Sequence, residues 1–168
     1  MKQGFKIKEK LRIETYNADG SIAEYRETYQ PDKISHRIKK ALGFDKCLAD
    51  DIILDSGLAD IVRMIAERYQ YVSVGTGTTT PEHDDEGLEA ECMDRSAAAT
   101  SILTTFFDDD TVEFRASFTP LANYTIAESA IHVGASGDVP TLARETFVPM
   151  AVTSGKAFSV SWVIILMR

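Results

Sequence analysis

The stretch FSVSWVIILM at residues 158–167 puts Phe158, Val160, Trp162, Ile164 and Leu166 at every second position, with Val163 and Ile165 making the intervening face apolar too. Successive side chains of an extended chain point to opposite sides, so this spacing predicts a strand buried on both faces, with Trp162 between the layers of the fold. Just upstream of it in pattern, Val112, Phe114, Ala116 and Phe118 alternate with Glu113, Arg115 and Ser117, the signature of a half-buried strand. Further extended runs cover residues 71–74, about 97–107, 124–133 and 141–147. They are separated by GASGDVP, by TSGK and by Asp108-Asp109-Asp110, which reads as an exposed turn. Six strands at hairpin spacing, with no helical pattern after residue 95, predict an antiparallel β-sandwich or open barrel over residues 71–168.

Upstream, Phe5, Ile7, Leu11 and Ile13 share one parity while Lys6, Lys8, Lys10 and Arg12 share the other, again a strand. Asn17-Ala18-Asp19-Gly20 is turn chemistry, and residues 21–29 form a second extended run, so residues 1–30 read as a β-hairpin arm. Residues 31–70 read as a helical connection. DKISHRIKKALG spaces Ile34, Ile38 and Leu42 for a short helix stopped by Gly43, and DSGLADIVRMIAERY spaces Leu58, Ile61, Val62 and Ile65 for a stronger one, capped by Asp55 or Ser56 and lying on a sheet. The fold class is thus mainly β with one or two helices.

The 168 residues, 44% hydrophobic and 26% charged, have the composition of a folded protein rather than a disordered acidic tail. No apolar run approaches the roughly 20 residues of a membrane helix, and MKQGFKIKEK lacks a signal peptide's apolar core, which predicts a soluble chain with no export signal. Charge is unevenly placed: residues 1–40 hold ten basic and six acidic residues, net +4, whereas residues 41–168 hold eight and twenty, net −12. A basic arm on an acidic body suits an acidic protein partner, and the acidic balance disfavours nucleic acid. Phe5, Lys6, Ile7, Lys8, Lys10, Leu11, Arg12 and Ile13 are therefore the candidate partner-binding residues.

Residues 82–94 crowd Glu82, Asp84, Asp85, Glu86, Glu89, Glu91 and Asp94 around His83, but not in a calcium-loop pattern, and such runs are usually solvated faces. VGTGTTT at residues 74–80 lacks the lysine of a phosphate loop and the third glycine of a dinucleotide fingerprint; Gly75 and Gly77 read instead as a tight exit from a strand. His36, His83 and His132 sit in no catalytic motif, and Cys47 and Cys92 have neither zinc nor redox spacing, so no catalytic residue, metal or cofactor is expected.

One resemblance runs along most of the chain. Val74, Gly75, Gly77, Leu88, Glu91, Arg95, Ile126, Glu128, Leu142, Ala143, Arg144, Phe147 and Trp162, with the hairpin RIETYNADG and the helix SGLADI, resemble a group of small tailed-bacteriophage virion proteins and the N-terminal modules of tail-collar fibres. Residues 31–55 look like an insertion, and residues 129–133 depart from the group's pattern. The resemblance implies a non-enzymatic virion component, homo-oligomeric or present in many copies on capsid, neck or tail. The absence of a shaft after the last strand favours a compact decoration, neck or tail accessory type. The rival readings are a tail-borne host-surface or carbohydrate-binding module, whose sugar site would need exposed Trp or Tyr, and a small lytic hydrolase. Apart from the resemblance, Glu91, Arg95, Glu128 and Arg144 are the types expected of either a Glu–Arg pair tying the linker to the sandwich or four unrelated surface charges.

Overall fold

The computed structural model describes the backbone of residues 6–17, 19–31 and 54–167, and the side chains of these residues except 6–10 and 25–31. The expected helix at residues 32–43, with His36 and Cys47, lies outside the described residues. Among the described residues nine strands and one helix follow in chain order: β1 (Lys6–Tyr16), β2 (Ile22–Pro31), α1 (Asp55–Arg68), β3 (Tyr71–Gly75), β4 (Ser96–Ala97), β5 (Ala99–Leu103), β6 (Thr111–Phe118), β7 (Tyr124–His132), β8 (Thr141–Val152) and β9 (Phe158–Met167). They form two antiparallel sheets, ordered β2-β1-β9-β6-β5 and β4-β3-β7-β8. The two sheets pack face to face, as the alternation in β6 and β9 predicts. Among the described residues no helix is long and apolar enough to cross a membrane.

The inner faces supply the core. Trp162, Phe114, Phe158, Leu11 and Ile13 come from the first sheet, Val72, Val74, Ile126, Ile131 and Met150 from the second. Phe118 and Phe158 stack with centroids 5.3 Å apart. Trp162 is 0% exposed. Its indole N–H donates across the core to Ser129 Oγ of β7 at 3.1 Å, which satisfies the one polar group that this ring buries.

Two expectations change. The hairpin forms, but it is no arm apart from the sandwich: β1 lies between β2 and β9, in register with β9 from Lys6↔Met167 to Thr15↔Phe158. Alternation specifies which side chains share a face, not which strand completes the ladder, so the apolar parity of β1 found the core of its own chain. The expected strand at 97–107 is two short strands, because Ala98 turns its N–H to Gln70 O while β4 joins one sheet and β5 the other. The extension of β8 past Phe147 passes through Pro149, tolerable because β8 is an edge and its register slips there, from Ile126↔Met150 to Glu128↔Thr146.

The helix α1 packs on β5 and β6 and buries Leu58, Ala59, Val62 and Ala66, close to the expected stripe. Its N-cap is Leu54, without a side-chain hydrogen bond, rather than Asp55 or Ser56. Arg63 reaches from it to Asp109 at 2.7 Å, pinning the turn after β5.

Candidate functional site

The outer face of the four-stranded sheet is covered by the chain's own acidic segment. After β3 the backbone folds back along itself: Thr76 N–H donates to Ala90 O at 2.9 Å, and Cys92 N–H to Val74 O at 3.1 Å. This return lays residues 76–95 over β3, β7 and β8, so Glu128, in the middle of β7, has 0% exposure.

Burying a carboxylate is costly unless each lone pair is matched, and here each is. Glu128 Oε1 accepts from Gly77 N–H at 3.0 Å and Ala90 N–H at 2.8 Å; Oε2 accepts from Glu89 N–H at 3.0 Å and Arg144 Nε–H at 2.9 Å. The other arms of Arg144 donate to Asp85 Oδ2 at 2.6 Å and to Thr79 Oγ1 at 3.2 Å. Burial by itself would lower the affinity of this guanidinium for its proton, but Asp85 and Glu128 more than offset it and hold the group above its ordinary range. Glu89 accepts from Thr79 Oγ1–H and from the Thr78 and Thr79 N–H groups, which hold its carboxyl below its ordinary range. Gly75 and Gly77 are required by close approach: a Cβ at Gly75 would strike Glu128 Oε1 and the Ala90 carbonyl, and one at Gly77 would sit 2.6 Å from the Glu89 Cβ.

Glu91, Arg95, Glu128 and Arg144 form two Glu–Arg pairs rather than four unrelated charges, but neither pair is the expected tie of linker to sandwich. One joins β7 to β8, the other lies within residues 76–95, and the tie is made by Asp85 on Arg144 and by the backbone N–H groups on Glu128. Arg144 binds Glu128, while Arg95 binds Glu91 at 3.0 Å and the Gly134 carbonyl at 3.3 Å. The backbone N–H groups of Gly77, Thr78 and Thr79, the donors with which a phosphate loop would grip its ligand, are taken by Glu128 and Glu89. Three members of the acidic run, Asp85, Glu89 and Glu91, thus face arginines, and among the described residues no three acidic, histidine or cysteine side chains converge as a metal site.

Beside this clasp, His132 is buried in a hydrogen-bond chain whose direction is determined by its ends. Thr141 Oγ1–H donates to the Glu86 carbonyl at 2.7 Å, so its oxygen accepts from His132 Nδ1–H at 3.0 Å; Nε2 is then the acceptor for Ser73 Oγ–H at 2.7 Å. Ser129, whose Oγ accepts the Trp162 indole N–H, donates in turn to Ser73 O at 2.8 Å. A serine hydroxyl on a histidine nitrogen is the contact of a nucleophile and its base, yet Ser73 and His132 are both 0% exposed, and among the described residues the second ring nitrogen meets the Thr141 hydroxyl rather than a carboxylate. The arrangement locks a neutral imidazole into the fold.

Burial, with a smaller contribution from the Arg95 charge, pushes the His132 pKa down from 6.5 to about 4. The unfolded chain therefore binds a proton below pH 6.5 that the folded chain refuses, so stability is full above pH 6.5 and falls as pH drops toward 4, by about 3 kcal/mol in all. Urea titrations should show a slope close to one proton between pH 6 and pH 5, and His132→Asn should remove it. An unchanged slope in the variant would mean that His132 is not the group responsible.

The candidate partner-binding residues fare differently. Leu11 and Ile13 are 2% and 1% exposed and belong to the core, which removes them from any partner's reach. Arg12 pairs with Glu14 on the outer face of the first sheet. Phe5 lies outside the described residues; β1 carries Lys6, Ile7, Lys8 and Lys10 opposite Met167, Leu166, Ile165 and Val163 of β9.

Three buried acids escaped the sequence reading: Glu14, Asp110 and, at 4% exposure in β8, Glu145. Glu14 sits 4% exposed among a predominantly basic parity, and accepts from Arg115 of β6 at 3.0 Å and Tyr16 OH at 2.8 Å, tying the hairpin across β9. Asp110, taken with its neighbours as an exposed turn, is 0% exposed: the turn exists, but its last carboxylate points inward. Burial works to raise its pKa, and hydrogen bonds from the Phe107, Phe106 and Thr105 N–H groups and the Thr111 hydroxyl win, leaving it lowered. A short-range sign was available, since an Asp at the end of a turn commonly gathers nearby N–H groups.

No protein-family profile, curated protein or solved structure matches this chain.

Proposed function

We propose that the chain is a non-enzymatic structural component of a tailed-phage virion, held in many copies on capsid, neck or tail by protein–protein contacts. One observation carries the reading. Gly75, Gly77, Glu128 and Arg144, which are among the residues that carry the resemblance, meet in a single clasp whose acceptor positions are all filled from within the chain. Residues shared for catalysis would leave a lone pair or a proton open to substrate; residues shared for architecture need not. The clasp secures an irregular segment, residues 76–95, to a sheet through hydrogen bonds and ion pairs of the chain's own groups, which suits a particle protein that must stay folded outside a cell.

The carbohydrate-binding alternative has less support, since Trp162 is in the core and Phe106, at 58%, is the one strongly exposed aromatic among the described residues. Gradient-purified particles of the phage encoding this chain, analysed by quantitative mass spectrometry, should contain it at many copies per particle. Its absence from the particles, with the protein abundant in the infected cell, would refute the proposal.

A further inference from the structure

The five-stranded sheet ends in β5, paired with β6 on one side only among the described residues. All five residues of β5 are exposed, with Ile102 at 38% and Leu103 at 42%, and Phe106 just beyond the strand at 58%. An open strand edge offers unpaired N–H and C=O groups, and proteins ordinarily blunt such edges with charge, proline or shortness. The other edges conform: β2 carries Glu24 and ends at Pro31, β8 contains Pro149, and β4 has two residues. β5 has none of these devices. Ser96 to Phe107 contain no charged residue, in a chain that is 26% charged with net charge −8.

We infer that β5 is a homotypic docking edge, on which β5 of a second copy adds antiparallel about Ser101 and joins the two five-stranded sheets into one. The occupant follows from self-complementarity. A two-fold antiparallel pair sets Ser101 against its own copy, Thr100 against Ile102 and Ala99 against Leu103. Each off-axis pair therefore sets a smaller side chain against a larger one, and only the axis sets like against like, Ser101 on Ser101. Thr100 and Ile102 lie opposite Phe114 and Val112 of β6, so their pairs extend the core side of the sheet, while Ala99, Ser101 and Leu103 extend the outer side. In such a two-fold pair any charge near the axis meets its like on the other copy, and for a body of net charge −8 an uncharged edge is the place where two copies can approach. A five-residue ladder is at the small end of specific interfaces, so dissociation should fall in the micromolar range.

The test uses the full chain. Sedimentation analysis across a micromolar concentration series should show reversible dimerisation, and Ser101→Lys, which places two ammonium groups at the axis, should abolish it while far-UV circular dichroism and melting stay unchanged. With Cys47 and Cys92 replaced by serine, Ser101→Cys should form a disulfide-linked dimer on mild oxidation, because only this register sets residue 101 against itself. The inference fails if the unmodified chain stays monomeric throughout, which would leave the edge to a different chain, if the Ser101→Lys chain dimerises as well as the original, or if the Ser101→Cys chain does not cross-link. None of these outcomes depends on whether the protein belongs to a virion.

Discussion

Deletion of residues 1–30 is expected to leave no folded domain. β1 is an interior strand: its removal takes away ten residue pairs with β9 and exposes the edge of the strand that carries Trp162. It also removes Leu11 and Ile13, 2% and 1% exposed; losing a buried aliphatic side chain of this size costs about 2–5 kcal/mol, so these two alone approach the 5–15 kcal/mol that holds a typical domain together. The Glu14–Arg115 ion pair across β9 disappears with them and leaves Arg115 without that partner. The truncated chain should be insoluble, or soluble without a cooperative melt, and Leu11→Ala and Ile13→Ala should each lower the urea midpoint of the full chain. A truncated chain that melts cooperatively would show that the hairpin is an arm after all, with its basic residues free to act on a partner.

Replacing Glu128 by alanine should be the most damaging single substitution outside the apolar core. Three backbone N–H groups and the nearly buried Arg144 guanidinium, 5% exposed, would lose their common acceptor at once. Removing one partner of a buried pair leaves an uncompensated charge and costs about 3–5 kcal/mol. Asp85 and Glu89 limit the damage, since both remain close to Arg144, at 2.6 Å and 3.8 Å. The double variant with Arg144→Ala should therefore cost less than the sum of the two single changes, a coupling that a double-mutant cycle in urea reads directly. Gly75→Ala should shift stability in the same direction, because its methyl group must displace the Glu128 carboxylate or the Ala90 carbonyl. If Glu128→Ala moves stability by under about 1 kcal/mol, the segment at 76–95 is held by something other than this clasp.

The hairpin and the clasp divide what could be read from the chain and what could not. Period-two alternation in residues 112–118 and 158–167, and the helical stripe through Leu58, Val62 and Ile65, were legible because side-chain direction repeats with the local backbone. The turn at Asn17 to Gly20 was legible for the same reason, its hydrogen bonds being closed within five residues, as in Gly20 N–H to Asn17 O. Together these determined the layers, the burial of Trp162 and the hairpin itself. Only tertiary structure decided that β9 is the neighbour of β1, since a ladder between strands some 150 residues apart in the chain leaves no mark on the sequence of either. It also decided which members of the acidic run meet an arginine. Asp85 lies 59 residues from Arg144 and Glu91 only four from Arg95, and a charge in a row of like charges has no local property that names its partner. Electrostatic pairing depends on distance in space and on the exclusion of water, and both come into being when residues 76–95 close over the sheet.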